Sequence, residues 1–322
     1  MESVLGRTGT PNPGPSLFSV WPHRLAVMLV GVTFPLLFIG GLVTSKGAGL
    51  AVPDWPTTFG HNMFLYPWSK MVGNIFYEHS HRLVASCVGL LTIAFTVTVW
   101  IRESRAWLRW LAFAALVLVV LQGILGGLRV ILLEQTLAIV HAATAQAFFA
   151  LTVGLAVFTS KEWLGLPEAT ESLNDGGRLR RLCLATTALI YIQVIIGAVL
   201  RHTGERVDAH LAFAALVALH TMLILIRVSR HHAAASGLQR PALILFGLLL
   251  LQLTLGTLSY LAKFTSVLRL PIDATVLVTT THLACGAAML GVAVALTLRC
   301  YRLSRTQTHS AGGEILSEQF ST

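Results

Sequence analysis

The sequence predicts an all-α membrane protein whose eight transmembrane helices form two pseudo-symmetric four-helix bundles. Three observations carry that reading. The 322 residues are 55% hydrophobic and only 11% charged, with a mean hydropathy of +0.73, whereas soluble domains carry roughly a quarter charged residues. Apolar runs of about 20 residues, the length that spans a bilayer as a helix, recur eight times. A Gln-x-x-x-Gly pattern, each copy followed by a histidine in the next run, restarts past the middle of the chain, the mark of internal duplication. A backbone crossing lipid must satisfy its own hydrogen bonds, so these runs are predicted as helices.

The runs lie at roughly 25–44, 80–101, 109–128, 137–159, 182–200, 209–228, 241–262 and 275–298. Residues 1–24, rich in Pro, Gly and Ser, lack a charged-then-apolar signal pattern and read as a flexible cytoplasmic tail. The first span ends in Gly40-Gly41 and opens a long outer loop, roughly 45–77, carrying Trp55, Trp68 and Tyr77. Such aromatics suit a loop that lies on the membrane interface or caps a site. The second span follows Glu78-His79-Ser80-His81-Arg82. The third closes with Gln122-Gly123-Ile124-Leu125-Gly126-Gly127, and His141 opens the fourth, completing an N-terminal half over 25–160. An inner linker, 161–181, carries Pro167 and Asp175. Gln193 and Gly197 then end the fifth span before His210, and Gln252 and Gly256 end the seventh before His282. This gives a C-terminal half over 182–299 and a second cytoplasmic tail over 300–322, the halves related by an axis along the membrane normal.

The net charge of +9 is a matter of topology rather than of a nucleic-acid surface. With the N-terminus inside, the outer ends hold only Lys46, Lys70, Arg82, Arg129, Arg201, Arg206, Lys263 and Arg269 of the 23 Lys and Arg. The positive-inside rule then puts both termini in the cytoplasm, or in the matrix for a mitochondrial protein. Cys87, Cys183, Cys285 and Cys300 fall within spans or at their inner ends, which predicts no disulfide in an outer loop.

An ionisable residue inside a span is costly and marks a functional site. His81, His141, His210 and His282 occupy one position each, all near the outer end of an even span. Imidazoles on neighbouring helices can clamp an iron porphyrin from both sides, and the repeat pairs His81 with His141 and His210 with His282. Zinc is the competing metal, but it calls for further Cys or carboxylate ligands, and packing histidines are the plain alternative. Glu78 precedes His81 by three residues, on the same helix face, and no other histidine of the set has such a carboxylate. The halves therefore differ, with chemistry expected at the Glu78 side through proton transfer or charge stabilisation. A structural ion pair between Glu78 and Arg82 is the other reading of the same residues. Arg82, Arg129 and Arg201 suit porphyrin propionates or plain interfacial anchoring. His79 is expected second to the site or at the surface, His61 and His202 in loops, His231 and His232 in an inner basic run, and His220 in packing.

On these residues the chain is similar to the heme A synthase family of bacterial and mitochondrial respiratory membranes. The likeness rests on Gly40-Gly41-Leu42-Val43-Thr44-Ser45, on Gly49-Leu50-Ala51-Val52-Pro53-Asp54-Trp55-Pro56, and on Glu78-x-x-His81-Arg82 with His141, His210 and His282, and it covers residues 25–300. The resemblance implies oxidation of the C8 methyl group of heme O to a formyl group by successive hydroxylations, giving heme A for cytochrome oxidase. It implies that His81 and His141 serve the heme O substrate, with Glu78 as the essential acid, and that His210 and His282 hold a heme b. A bacterial inner membrane (or the mitochondrial one), a heme O synthase partner and an electron donor follow from the same likeness; homo-oligomerisation stays open. Many members carry a cysteine pair in the first outer loop. This loop has none, which places the chain in a subgroup without the pair and leaves its electron source open. The rival from another class is a non-catalytic diheme electron carrier resembling cytochrome b, although no two of these histidines share a helix. A transporter using histidines as proton relays would hold no chromophore.

Overall fold

The computed structural model describes residues 19–165, 176–231 and 236–319, without the side chains of 176, 236 and 304–319. The tail before residue 19, the linker residues Pro167 and Asp175, and His232 lie outside the described residues. The helices are α1 (Val20–Ser45), α2 (Asn74–Arg102), α3 (Ala106–Leu132), α4 (Gln135–Phe158), the single turn α5 (Lys161–Leu164), α6 (Gly176–Thr203), α7 (Val207–His231), α8 (Ser236–Phe264) and α9 (Ile272–Gln319). Among the described residues, eight helices, all of these but α5, are long and apolar enough to cross a membrane. Even the shortest, α4 with 24 residues, is about 36 Å long at 1.5 Å per residue, and the hydrocarbon layer is only about 30 Å thick.

Three boundaries differ from the hydropathy reading. Helix α2 starts at Asn74, so Glu78 to Arg82 lie inside the helix and not at its mouth. Helix α6 starts at Gly176, within the stretch read as linker, and α9 runs on to Gln319 through the stretch read as tail. Hydropathy stops at the first polar residues, whereas the backbone hydrogen-bond ladder continues through them.

The helices pack as two rings. In the first, α1 touches α2 and α4, and α3 touches α2 and α4; in the second, α6 touches α7 and α9, and α8 touches α7 and α9. The rings meet where α9 packs on α1 and α4, and α6 on α4. Helix α9 is the central element: 56% of its most apolar stretch is buried, against 17% for α8. Its small residues make that possible, and a side chain at Gly291 would sit 3.2 Å from Phe149 of α4.

Apolar cores fill both rings toward the end that bears the first residue of α1, here called the inner end, the opposite one being the outer. The N-terminal core combines Leu29, Val88, Phe95, Val99, Leu108, Phe148 and Leu155; the C-terminal core combines Leu179, Ile224, Val228, Leu245, Leu290 and Leu296. Several threonines within the spans are satisfied locally: the hydroxyls of Thr33, Thr92 and Thr96 donate to carbonyls one turn earlier, Leu29, Val88 and Thr92. The inner turn between α2 and α3 is tied by buried Glu103, which accepts from the backbone N–H of Arg105 at 3.1 Å and its guanidinium at 2.7 Å. Burial alone would raise the pKa of Glu103; the Arg105 hydrogen bonds outweigh it and hold the carboxyl below its ordinary 4.5. In the C-terminal ring, space for a ligand remains at the outer end, around His210 and His282.

Candidate functional site

The first turns of α2 are organised by the outer loop. Glu78 is 4% exposed. One carboxylate oxygen accepts from Arg82 at 2.8 Å, the ion pair left open from sequence, and the other from the Val52 N–H at 2.9 Å. Arg82 also donates to the carbonyls of Val52 (3.0 Å), Asp54 (2.7 Å) and Thr57 (3.1 Å). Of the two places expected for His79, second to the site or at the surface, its burial rules out the surface: it is 1% exposed and bonds the Thr58 hydroxyl through Nδ1 at 3.1 Å, because the loop folds over it and Tyr66 packs on its ring. From the other side, Arg129 of α3 donates to the Gly49 carbonyl at 3.1 Å. Trp55 lies so close to Gly127 that any side chain there would collide with the indole. The loop is therefore a fixed lid over the outer end of the N-terminal ring. Breaking a buried ion pair such as Glu78–Arg82 costs about 3–5 kcal/mol, so its closure is strongly held.

The four histidines share one local construction. Each imidazole lies edge-on against a glycine of the preceding span. A Cβ at Gly40 would stand 3.1 Å from Cε1 of His81, and one at Gly126 would stand 3.2 Å from that of His141. The corresponding values are 3.2 Å for Gly197 and His210, and 3.0 Å for Gly256 and His282. Glycine is needed at these points to let the ring reach its place. The Nδ1 atoms of His81, His210 and His282 are buried without a hydrogen-bond partner, an arrangement that disfavours plain packing histidines, since buried polar atoms are normally paired. His81 and His141 are near enough to interact electrostatically.

In the C-terminal ring, His210 and His282 face each other with ring centroids 6.3 Å apart and planes at 71°. Two imidazoles bound to one metal through nitrogens at about 2.0–2.1 Å would hold their centroids roughly 6 Å apart. A cavity of about 410 Å³ opens around the pair, lined also by Gln193, Gln252, Arg201 and Lys263, within the roughly 300–1,000 Å³ typical of small-molecule sites. These residues fit a porphyrin iron: a facing pair, unpartnered ring nitrogens, glycines that clear the way, and two cations for carboxylates. Among the described residues no three His, Cys, Asp or Glu converge as a closed zinc site would need.

Arg201 has a second task. Its guanidinium donates to the Gly41 carbonyl at 2.7 Å and to the Ser45 hydroxyl, tying α6 to α1 across the ring boundary, while its Nε is buried and unpartnered. Gly41 in turn accommodates Thr280 of α9 at 3.0 Å. Lys263 was missed from sequence. Its only signal was a cation at the outer end of the seventh span, in the place Arg129 and Arg201 hold in the third and fifth. His202 lies in the last turn of α6 and not in a loop, because that helix runs to Thr203. His61 pairs with Thr58 in the lid, and His220 bonds the Leu216 carbonyl of its own helix at 2.9 Å. The four cysteines are free, with the sulfurs of Cys183 and Cys300 packed 3.6 Å apart.

Comparison with known proteins adds a family. The model of COX15-CtaA, described as "Cytochrome oxidase assembly protein", matches residues 23–209, the whole N-terminal ring and α6. Proteins named heme A synthase are similar over parts of their length. That of Geobacillus kaustophilus is 27% identical over 186 residues, 53% of this chain and 54% of its own. That of Exiguobacterium sibiricum is 29% identical over 188 residues, 56% and 61%. That of Alkalihalophilus pseudofirmus is 36% identical over 103 residues, 30% and 32%. The chain thus spans between about a third and three-fifths of these curated relatives.

Proposed function

This chain belongs to the COX15-CtaA family of cytochrome oxidase assembly proteins, and on that premise we propose that it is a heme A synthase. It oxidises the C8 methyl group of heme O to a formyl group by two successive hydroxylations, each taking one oxygen atom from dioxygen while the electron donor supplies two electrons and the second oxygen atom leaves as water; the gem-diol then loses water to leave the aldehyde. The observation that carries the reading is that four histidines are seated alike on glycines while a single site, that of His81, has a carboxylate on the same helix face. His81 and His141 hold the iron of the heme O substrate in the N-terminal ring, under the lid. His210 and His282 hold a heme b in the C-terminal ring. When bound there, heme b supplies one-electron transfer toward the substrate.

The chain's own residues do the rest. The lid keeps water from the outer end of the substrate site. Glu78, fixed by Arg82 and the Val52 N–H, sets a negative charge one turn from His81, where it stabilises positive charge developing on the oxidised substrate and accepts a proton. Arg201 and Lys263 face the propionates of heme b, and Arg129 those of heme O; Arg82 is engaged with the lid. Both termini lie on the cytoplasmic side of the inner membrane, and a heme O synthase and an electron donor act with the protein there.

The test is co-expression with a heme O synthase in a host that makes no heme A, followed by extraction and chromatography of the hemes with mass detection. The expected result is a heme A peak, absent in Glu78→Gln, which keeps the side chain's size and its acceptor for Val52, while the C-terminal heme is retained. Heme O alone, with the wild-type protein folded and carrying heme b, would instead favour the diheme electron carrier.

A further inference from the structure

The four histidine seats are alike except in one respect. Helices facing His141, His210 and His282 carry, one turn deeper than the glycine, a glutamine. The Gln193 amide donates to the His210 carbonyl at 2.9 Å and lies 3.4 Å from its Nε2. Gln252 lies 3.5 Å from Nε2 of His282. Gln122, with its amide turned so that the oxygen accepts from the Thr144 hydroxyl, reaches the His141 carbonyl at 3.1 Å and its Nδ1 at 3.3 Å through the nitrogen. The Gln193 and Gln122 amides clasp the histidine and its helix to the neighbour, and that of Gln252 stands beside the ring. At His81 the facing helix keeps the glycine, Gly40, but places Leu36 where the others have glutamine. Leu36 packs in the N-terminal core and has nothing to offer an imidazole or a carbonyl.

A further feature loosens the same place. Pro35 lies inside α1 next to Leu36; lacking an N–H, it leaves the helix one hydrogen bond short at Gly31.

Resting on the reading of the N-terminal ring as the substrate site, we infer that its two ligands are unequal by construction: His141 is the held ligand of the substrate iron and His81 the yielding one. An iron clasped from both sides has no vacant position and suits electron transfer, as in the C-terminal ring. An iron with one unclasped imidazole can admit a small diatomic ligand, on the side of Glu78 and the lid. Leu36 is then a positioning residue through the amide it omits.

The experiment uses the full chain purified with heme O and heme b, reduced and exposed to carbon monoxide, with binding read from the absorption spectrum. Wild type should bind CO at the substrate heme only. Leu36→Gln, which installs the missing amide, should lower the CO-binding fraction about three- to tenfold, the factor one buried hydrogen bond supplies, with the C-terminal heme spectrum unchanged as the sign of correct folding. Gln193→Leu should do the reverse and make the C-terminal heme reactive to CO. His81→Ala should keep its substrate heme and bind CO fully, whereas His141→Ala should lose that heme. Unchanged CO binding in both Leu36→Gln and Gln193→Leu, equal heme loss in the two alanine variants, or a CO-inert wild type with heme O bound would overturn the inference alone. Wild type that holds no heme in the N-terminal ring would overturn the substrate-site reading, and this inference with it.

Discussion

Glycine governs this protein's chemistry as much as histidine does. A ring that must stand against a helix backbone needs a neighbour without a Cβ, and Gly256 leaves only 3.0 Å between that missing atom and His282. Gly256→Ala should therefore displace His282 and lower the heme content of the C-terminal ring several-fold, read from the Soret band per protein. Alanine is the better helix former by up to about 1 kcal/mol, so the helix itself should not suffer, which separates a site effect from misfolding. Gly31→Ala, in the same fold but with nothing within 4 Å, should leave heme content unchanged; equal loss in both variants would refute the seat. Much of this scale was legible in the sequence, because a histidine or a glutamate in an apolar run stands out against a costly background. His79 was not, since its burial depends on a loop that arrives from outside its helix, and neither was Lys263, whose cavity is formed by residues distant in sequence.

Among the elements, the lid shows most clearly how local chemistry sets a segment's shape. Asp54 accepts from the Phe59 N–H at 2.7 Å, from the Gly60 N–H at 2.8 Å and from the Thr57 hydroxyl. These bonds hold Phe59 at φ 51°, a left-handed conformation that a bulky residue rarely adopts unaided. Burial alone would raise the pKa of Asp54; the hydrogen bonds from Gly60, Thr57 and Phe59 outweigh it and bring the carboxyl from 3.8 to about 2. A carboxyl with a lowered folded pKa stabilises the lid fully above its ordinary value and ceases to do so as pH falls through the folded value. Lid cleavage by an acid-active protease should accordingly stay slow above pH 3.8 and accelerate toward pH 2, while Asp54→Asn should be cleaved faster throughout, with less pH dependence. A wild-type rate that does not change over that window would remove Asp54 as the organiser. The sequence marked this loop as long and aromatic and left it between a membrane-lying segment and a cap. Its contacts with Glu78, Arg82 and Gly127 decide for the cap, and periodicity could not reveal them because none is local.

At the scale of the whole molecule, the two rings are useful only if they stay in contact, and α9 is what keeps them so. It packs on α1, α4, α6 and α8, and at its Gly291 it lies close against α4: a Cβ there would lie 3.2 Å from Phe149 and 3.4 Å from Val153. On the outer side, Arg201 and the Ser45 hydroxyl join α6, α1 and α9 by hydrogen bonds. On the proposed function, a heme b in one ring and a substrate in the other would need this seam for electrons to cross. Gly291→Leu would wedge the seam open without touching a histidine, a carboxylate or the lid. Overpacking of this kind costs about 1–3 kcal/mol, so thermal unfolding in detergent should begin several degrees lower. Both hemes should remain bound, because each pair of ligands lies within its own ring, yet the yield of heme A per protein should fall more steeply than the heme content. If the yield instead tracked heme content, the seam would be a matter of stability alone. If neither changed, the close approach at Gly291 would have no bearing on how the halves work together.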